Sequence, residues 1–295
     1  MSKTPKKKKR SNRLTYNLFM ILIFLIGIVV LLYPTFSDFY NKKRNESLIV
    51  EYEEVIRDIQ PKDYTDIYNA AKEFNDQHKV NTFYDAFEGD TYVMSHPYDS
   101  LLNPAGNLIM GYIDVPKIGQ KLAIGHGTGE EILSKAVGHI EGTSLPIGGI
   151  NTHSVLSGHT GLPGGAKIFT DLDELVIGDK FFLYILNDIL AYEVDNIKVV
   201  LPNEVEDLVI YEDQDYVTLL TCTPYGVNSH RLLVRGHRIP YVPEDVVEQQ
   251  HQQEIPERER PTLILALGVG ILLLIVVIME IINIIKKRRK KKKGA

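Results

Sequence analysis

Hydrophobic and polar positions are arranged in three different ways along the chain. Leu18 to Tyr33 and Leu263 to Met279 are apolar runs without a charge. With its flanks, each is roughly long enough to cross about 30 Å of hydrocarbon. Asn41 to Ile59 carries Leu48, Tyr52, Val55, Ile56 and Ile59 at helical spacing among acids, the stripe of an amphipathic helix. Pro61 interrupts it, and Ile67, Tyr68, Ala71 and Phe74 resume a weaker helical pattern from Tyr64 to Phe74. Two helices are expected there, leading from the membrane to the main domain and packing on it.

From Leu108 the texture changes to short runs separated by Gly and Pro. These are Ile109 to Val115, Lys121 to Ile124, Thr152 to Ser157, Lys180 to Ile185, Ala191 to Val200, Tyr216 to Thr221 and Arg231 to Val234. Such spacing predicts a β-sandwich or a closed β-barrel. Glu130 to Ala136 and Lys167 to Leu175 read as short helices. Val80 to Leu101 has little periodicity but carries Phe83, Tyr84, Phe87, Tyr92 and Tyr98, the texture of a lid or a binding loop. Tyr241 to Arg260 is polar and rich in Glu and Gln, and reads as a tether.

Charge orients the apolar runs. Residues 1–14 hold seven basic residues (Lys3, Lys6 to Lys9, Arg10 and Arg13), residues 286–295 hold eight, and neither stretch has an acid. Lys and Arg stay on the cytoplasmic side, so two spans with both ends inside and the middle outside are expected. Pro34 to Tyr40 is bulky and offers no small-x-small cleavage site, which favours retention of the first span over removal as a signal peptide. Of the 33 basic residues 15 lie in the two tails, leaving 18 against 38 acidic ones and a formal charge near −20. Nucleic acid is a poor partner for such a surface. The tails, set directly against apolar spans, attract anionic membrane lipid.

A single cysteine, Cys222, cannot make an internal disulfide, and a free thiol outside the membrane calls for a reason. Thr223-Pro224-Tyr225-Gly226 with Asn228 marks a turn. Val217 to Thr221 and Arg231 to Val234 then form a hairpin with a loop of about seven residues. Cys222 closes its first strand and Arg231 opens its second. Paired strands lie roughly 5 Å apart, so thiol and guanidinium can meet at the hairpin mouth. A thiolate beside a fixed cation is a nucleophile.

Such a nucleophile needs a group to handle its proton and a stabiliser for the oxyanion. Of nine histidines, most read as surface or turn residues. His159 is the best candidate, because Val155-Leu-Ser-Gly-His159-Thr-Gly-Leu-Pro163 places it just past a strand in a Gly-flanked loop. His230 adjoins Arg231, but strand alternation sends those two side chains to opposite faces. His153 and His159 with Cys222 lack the short spacing of zinc sites, so no metal is expected. Gly125-His-Gly-Thr-Gly-Glu130 lacks the ending and context of a phosphate loop. Asn45-Glu-Ser47 fits a glycosylation sequon but carries little weight.

The stretch Thr218-Leu-Leu-Thr-Cys222-Thr-Pro-Tyr-Gly-Val-Asn-Ser-His-Arg231-Leu-Leu-Val-Arg-Gly resembles the active-site signature of sortases, specifically the pilus-assembling class C. The likeness extends through Gly138 to Gly149, Leu156-Ser-Gly-His159, Gly161-Leu-Pro163 and Phe169-Thr-Asp-Leu-Asp173, covering roughly residues 80–240. It implies a mainly β fold: a closed sortase-type β-barrel with short helices, preceded by N-terminal helices and flanked by two transmembrane helices. It implies a Cys222, His159 and Arg231 triad that uses no cofactor. Such enzymes cleave an LPxTG-like sorting signal between Thr and Gly, forming a thioacyl enzyme on the cysteine. A Lys amine of another pilin subunit then resolves it, polymerising pili on the Gram-positive cell surface.

The resemblance also implies a lid, a loop carrying an Asp-Pro-aromatic or Asp-x-aromatic motif across the active site. Asp85-Ala86-Phe87 matches it without the Pro, while His96-Pro97-Tyr98 has the Pro and the ring but no Asp. In the first assignment Phe87 covers the thiol and Asp85 pairs with Arg231. Thr160 stands where many relatives have Arg, a difference expected to bear on little except groove charge. The expected layout begins with a cytoplasmic basic tail (1–16), a transmembrane helix or signal anchor (17–34) and a helical juxtamembrane region (35–80). A lid and connecting loop (81–107) and the catalytic barrel (108–240) follow. A polar linker (241–260), a second transmembrane helix (261–285) and a second basic tail (286–295) complete a two-pass membrane protein with its catalytic domain extracytoplasmic.

Overall fold

Gly and Pro punctuation between residues 108 and 240 divides the chain into eight strands whose sheet closes on itself. The computed structural model describes residues 12–77, 98–161, 168–246 and Gly270, with most side chains of the first helix from Leu22 onward. Two helices lead in, α1 (Asn12–Asp58) and α2 (Pro61–Gln77). Pro61 opens α2 at the helix position where a missing N–H is tolerated. The strands are β1 (Ile109–Val115), β2 (Gln120–His126), β3 (Val137–His139), β4 (Thr152–Ser157), β5 (Lys180–Ile185), β6 (Asp188–Val200), β7 (Asp215–Thr223) and β8 (His230–Ile239). A short helix, α3 (Glu130–Leu133), lies between β2 and β3.

Around the barrel the order is β1-β2-β3-β4-β7-β8-β6-β5, with β5 returning to β1. Two neighbouring pairs, β2 with β3 and β4 with β7, run parallel. A parallel pair needs a crossover, and α3 lies in the one between β2 and β3. β5 and β6 fill the other, and that insertion brings the end of β4 beside the end of β7.

One core fills the barrel and continues outward to Ile49, Tyr52 and Ile56 of α1 and Ala71 and Phe74 of α2. A smaller apolar cluster, Ile140, Val155, Leu208, Leu220 and Leu233, lies apart from it. Strand alternation puts Leu219 in the first and Leu220 in the second. β4 is buried along its whole length, since both of its faces are covered.

Buried side-chain amides fasten the helices to the barrel. Asn45 donates to Lys121 O at 2.6 Å and accepts from Ala123 N at 2.9 Å. Asn75 does the same with Leu145, at 3.1 and 2.7 Å. Leu186 N donates to the Tyr52 hydroxyl at 2.7 Å. Each meets a backbone group that would otherwise be buried without a partner. Asn45 is 4% exposed, so the Asn45-Glu-Ser47 sequon is occupied by packing and offers no acceptor for a glycan.

A bulge in β6 leaves Asp195 out of the ladder between Val194 and Asn196. Its carboxylate takes both arms of Arg235 at 3.0 Å, and the guanidinium lies 4.2 Å over the Tyr216 ring. Bidentate pairing and stacking on one Arg is a strong local fastener. It fixes β8 four residues beyond Arg231.

Two expectations need correction. β3, only three residues long, has no run that stands out in the sequence. Lys167 to Leu175 is not a helix over its described part; only Leu172–Glu174 makes a single 3-10 turn. The Phe169 N–H is spent on His159 O at 3.0 Å instead of a helical acceptor. Among the described residues no helix is long and apolar enough to cross a membrane, and the two expected spans are proposed rather than seen. Within α1, Leu22, Ile23, Leu25, Ile26, Val29 and Val30 are each about half exposed or more. The chain divides into Met1–Gln253 and Glu254–Ala295. The apolar run Leu263 to Met279 falls in the second unit, outside the described residues except for Gly270.

Candidate active site

Cys222 is the eighth residue of β7, and the antiparallel register sets it directly opposite Arg231 of β8. On the other flank, β4 runs parallel to β7 with Ser157 level with Leu220, and Gly158 N donates to Leu220 O at 3.0 Å. Continuing that register by two residues brings His159 level with Cys222. That extension sets His159, two residues past the end of β4, at the height of the Cys222–Arg231 pair, on backbones spaced roughly 4.8 Å apart. Cys222 and Arg231 meet through a local hairpin. The parallel crossover supplies the third.

The hairpin loop is Pro224 to Ser229, one residue shorter than expected. Val227 N and Asn228 N both donate to Pro224 O, at 3.0 and 2.9 Å, and Gly226 and Asn228 take positive φ of 76° and 58°. One Arg231 guanidinium nitrogen donates to Asn228 O and to His230 O, each at 3.1 Å. The cation is therefore held by one carbonyl of the loop and one at the start of β8. Cys222 and Arg231 are 6% and 7% exposed, and they share the face that carries Leu220 and Leu233. That face is covered in part by Leu208, from the loop between β6 and β7.

Glycines on both sides give His159 its position. A Cβ at Gly158 would fall 2.7 Å from Ile168 and 2.8 Å from the Phe169 ring. Gly161 has a φ of 143°, and a Cβ there would meet the Tyr225 ring at 2.8 Å. The His159 ring is 19% exposed, with Nε2 3.8 Å from a carboxylate oxygen of Glu130. Burial pushes its pKa below the ordinary histidine value, against the opposing pull of Glu130. The lowered value favours the neutral imidazole, the form able to accept a proton. Glu130, the first residue of α3, had no signal in the sequence, since only the fold brings α3 to the end of β4.

The arrangement can do nucleophilic acyl transfer: a thiol, a neutral base beside it in the register, and a fixed cation opposite. A family model for the sortase domain matches residues 113–239. The structure superposes on sortase C1 from Streptococcus agalactiae with a TM-score of 0.60 and 46% identity, covering 66% of this chain and 100% of that one. The chain belongs to the sortase family. It is a cysteine transpeptidase of the sortase type. A sortase C from Streptococcus pneumoniae, solved with regard to catalysis and pilin substrate specificity, matches at 41% identity and a TM-score of 0.60 over 66% of this chain and 97% of that one. Sortase D of Bacillus subtilis is 29% identical over 132 residues; the chain spans 63% of its length, and the match takes in 44% of this chain.

In this sortase the other described histidines are mostly structural, contrary to the expectation of surface and turn positions. His139 accepts from the Tyr98 hydroxyl at 2.8 Å and donates to Ser144 O at 2.9 Å. His153 donates to Val209 O at 2.8 Å and accepts from the Thr218 hydroxyl at 2.7 Å. Both nitrogens of His153 are engaged, which removes it as a metal ligand. Burial drives the pKa of His139 down to about 3 and that of His153 to about 4. His230 is opposite Thr223, one step off the level of Cys222, and contacts the Ser229 hydroxyl.

Asp85, Phe87, His96 and Pro97 lie outside the described residues. Tyr98 does not: it is fully buried, with its hydroxyl on His139 and its ring 6.2 Å from that of Phe74. A cleft of about 640 Å³ opens beside Asp215 and Arg238, at the opposite ends of β7 and β8, and none of Cys222, His159 or Arg231 lines it.

Proposed function

We propose that this sortase is a membrane-anchored pilin polymerase with Cys222 as nucleophile, His159 as proton carrier and Arg231 as oxyanion stabiliser. The observation that carries the reading is the register that pairs Cys222 with Arg231 on β7 and β8 and ends the parallel β4 two residues before His159. The likeness to a sortase C with pilin substrates supports the substrate class. The Cys222 thiol passes its proton to neutral His159 and attacks the Thr carbonyl of an LPxTG-like signal. The Thr–Gly bond breaks, the His159 imidazolium protonates the leaving Gly amine, and a thioester remains on Cys222. A pilin lysine amine then gives a proton to His159 and attacks the thioester, forming an isopeptide bond and restoring the thiol. Arg231, permanently charged, donates to the oxyanion in both steps.

Leu18 to Tyr33 and Leu263 to Met279 serve as the two anchors in this reading, with the basic tails inside and the barrel outside. Full-length protein in detergent, mixed with a pilin bearing such a signal, is expected to yield a denaturant-resistant ladder. A thioacyl adduct on Cys222 is expected in the mass spectrum. Cleaved pilin or single-addition products without a ladder would remove the polymerase reading and leave cell-wall attachment.

Asp85 and Phe87 form the lid in the same reading, Phe87 over the thiol and Asp85 on Arg231. Asp85→Ala combined with Phe87→Ala is expected to speed alkylation of Cys222 by a thiol reagent. An unchanged rate rejects these two residues as the cover.

A further inference from the structure

We propose that Thr160, the residue after His159, is a positioning residue whose hydroxyl ties the His159 loop to the backbone of Cys222. The proposal rests on the catalytic reading above and goes beyond it. The parallel pairing of β4 and β7 reaches Gly158, whose N–H donates to Leu220 O. Past that point, side chains continue the connection. The Thr221 hydroxyl donates to Gly158 O at 2.6 Å. The Thr160 Oγ1 lies 2.8 Å from the Thr221 Oγ1 and donates to the carbonyl of Cys222. With the Thr221 proton committed to Gly158, the Thr160 proton is the one that the Cys222 carbonyl and the Thr221 oxygen share.

The two threonines flank the proposed catalytic pair in mirror fashion. Thr160 follows His159 and reaches the Cys222 strand, while Thr221 precedes Cys222 and reaches the His159 strand. At 9% and 1% exposure both hydroxyls are shielded from water, where a hydrogen bond is electrostatically stronger. On its far side the His159 loop is held by the bond from Phe169 N to His159 O and by the Tyr225 ring against Gly161. Thr160 supplies the link on the near side. Its inward direction also sets aside the expectation that this position bears on groove charge. Proton transfer between sulfur and imidazole needs reacting atoms about 3–3.5 Å apart, and a displacement of about 1 Å can cost a hundredfold in rate. A brace between the two backbones, one residue from each reacting side chain, controls that separation.

The test compares Thr160→Val, which keeps the shape and removes the hydroxyl, with Thr160→Ser, which keeps the hydroxyl, in the full-length protein in detergent. Thr160→Val is expected to lower kcat for cleavage of an LPxTG peptide by about 10- to 100-fold with little change in KM. Its pH profile of Cys222 alkylation is expected to move toward that of His159→Ala. Thr160→Ser is expected to recover both to within a few-fold of the native protein. Native kcat and alkylation profile in Thr160→Val overturn the proposal, as does a Ser variant as impaired as the Val variant. Should the Val variant not fold, Thr160→Ala carries the same comparison. Cys222→Ala and His159→Ala run alongside: full turnover in either defeats the catalytic reading itself. Their loss of turnover beside an unaffected Thr160→Val defeats this inference alone.

Discussion

Replacing Cys222 with alanine is expected to abolish both cleavage of the sorting signal and ladder formation, leaving the fold intact. The side chain is small, and its strand is held by a ladder to β8 through Cys222 itself and by one to β4 up to Leu220, so little packing is lost. His159→Ala is expected to reduce turnover by about 10²- to 10⁴-fold, the usual worth of a positioned acid–base group. Arg231→Ala is expected to cost about 10²- to 10³-fold, as for a lost oxyanion donor. Arg231→Lys should recover only part of that, because an ammonium lacks the planar fork that reaches Asn228 O and His230 O while presenting further donors. His230→Ala serves as the contrast, since register places it off the level of the thiol. Peptide-cleavage rates of the purified variants check all of these. If His230→Ala silenced the enzyme while His159→Ala did not, the assignment of the proton carrier would be reversed.

Acidification from pH 7.5 to pH 5 is expected to destabilise the barrel by about 4 kcal/mol through His139 and His153 together. Burial lowers both folded-state values, to about 3 and about 4, whereas an unfolded histidine titrates near 6.5. The unfolded chain therefore binds more protons, and stability falls as pH drops. This contribution is complete above about pH 6.5 and declines through the window down to the folded values, at up to roughly 1.4 kcal/mol per pH unit for each ring. Asp114 and Asp215 act with the opposite sign, because burial raises their carboxyl values. Urea midpoints at the two pH values measure it. His153→Gln is expected to lower stability at pH 7.5 and to flatten the pH dependence by about half. A native protein equally stable at pH 5 and pH 7.5 would contradict the neutral, buried state of both rings.

Strands β1, β4 and β5 coincide with hydrophobic runs visible in the sequence, because each is a short continuous segment bounded by Gly, Pro or a polar turn. The Cys222–Arg231 pair was legible for a similar reason: a hairpin is local, and its turn residues set its register. Asn45 and Asn75 were not legible. On a helix an Asn reads as a solvated position, and only docking against a backbone edge turns it into a buried amide clamp. The structural roles of His139 and His153 are not legible either, since nothing local distinguishes a histidine whose two nitrogens find buried partners from one that faces water.

The sequence by itself determined the mainly β texture, the two entry helices and the cysteine through local periodicity, and the family with its closed barrel through a contiguous motif. Tertiary structure decided that β4 runs parallel to β7 with Ser157 level with Leu220. From that register follow the place of His159 just past the end of β4, the approach of Glu130 to its ring and the threonine brace between the two backbones. The physical reason is that a parallel pairing joins segments separated by other strands, so no local pattern carries its register. It is set only when the whole barrel closes.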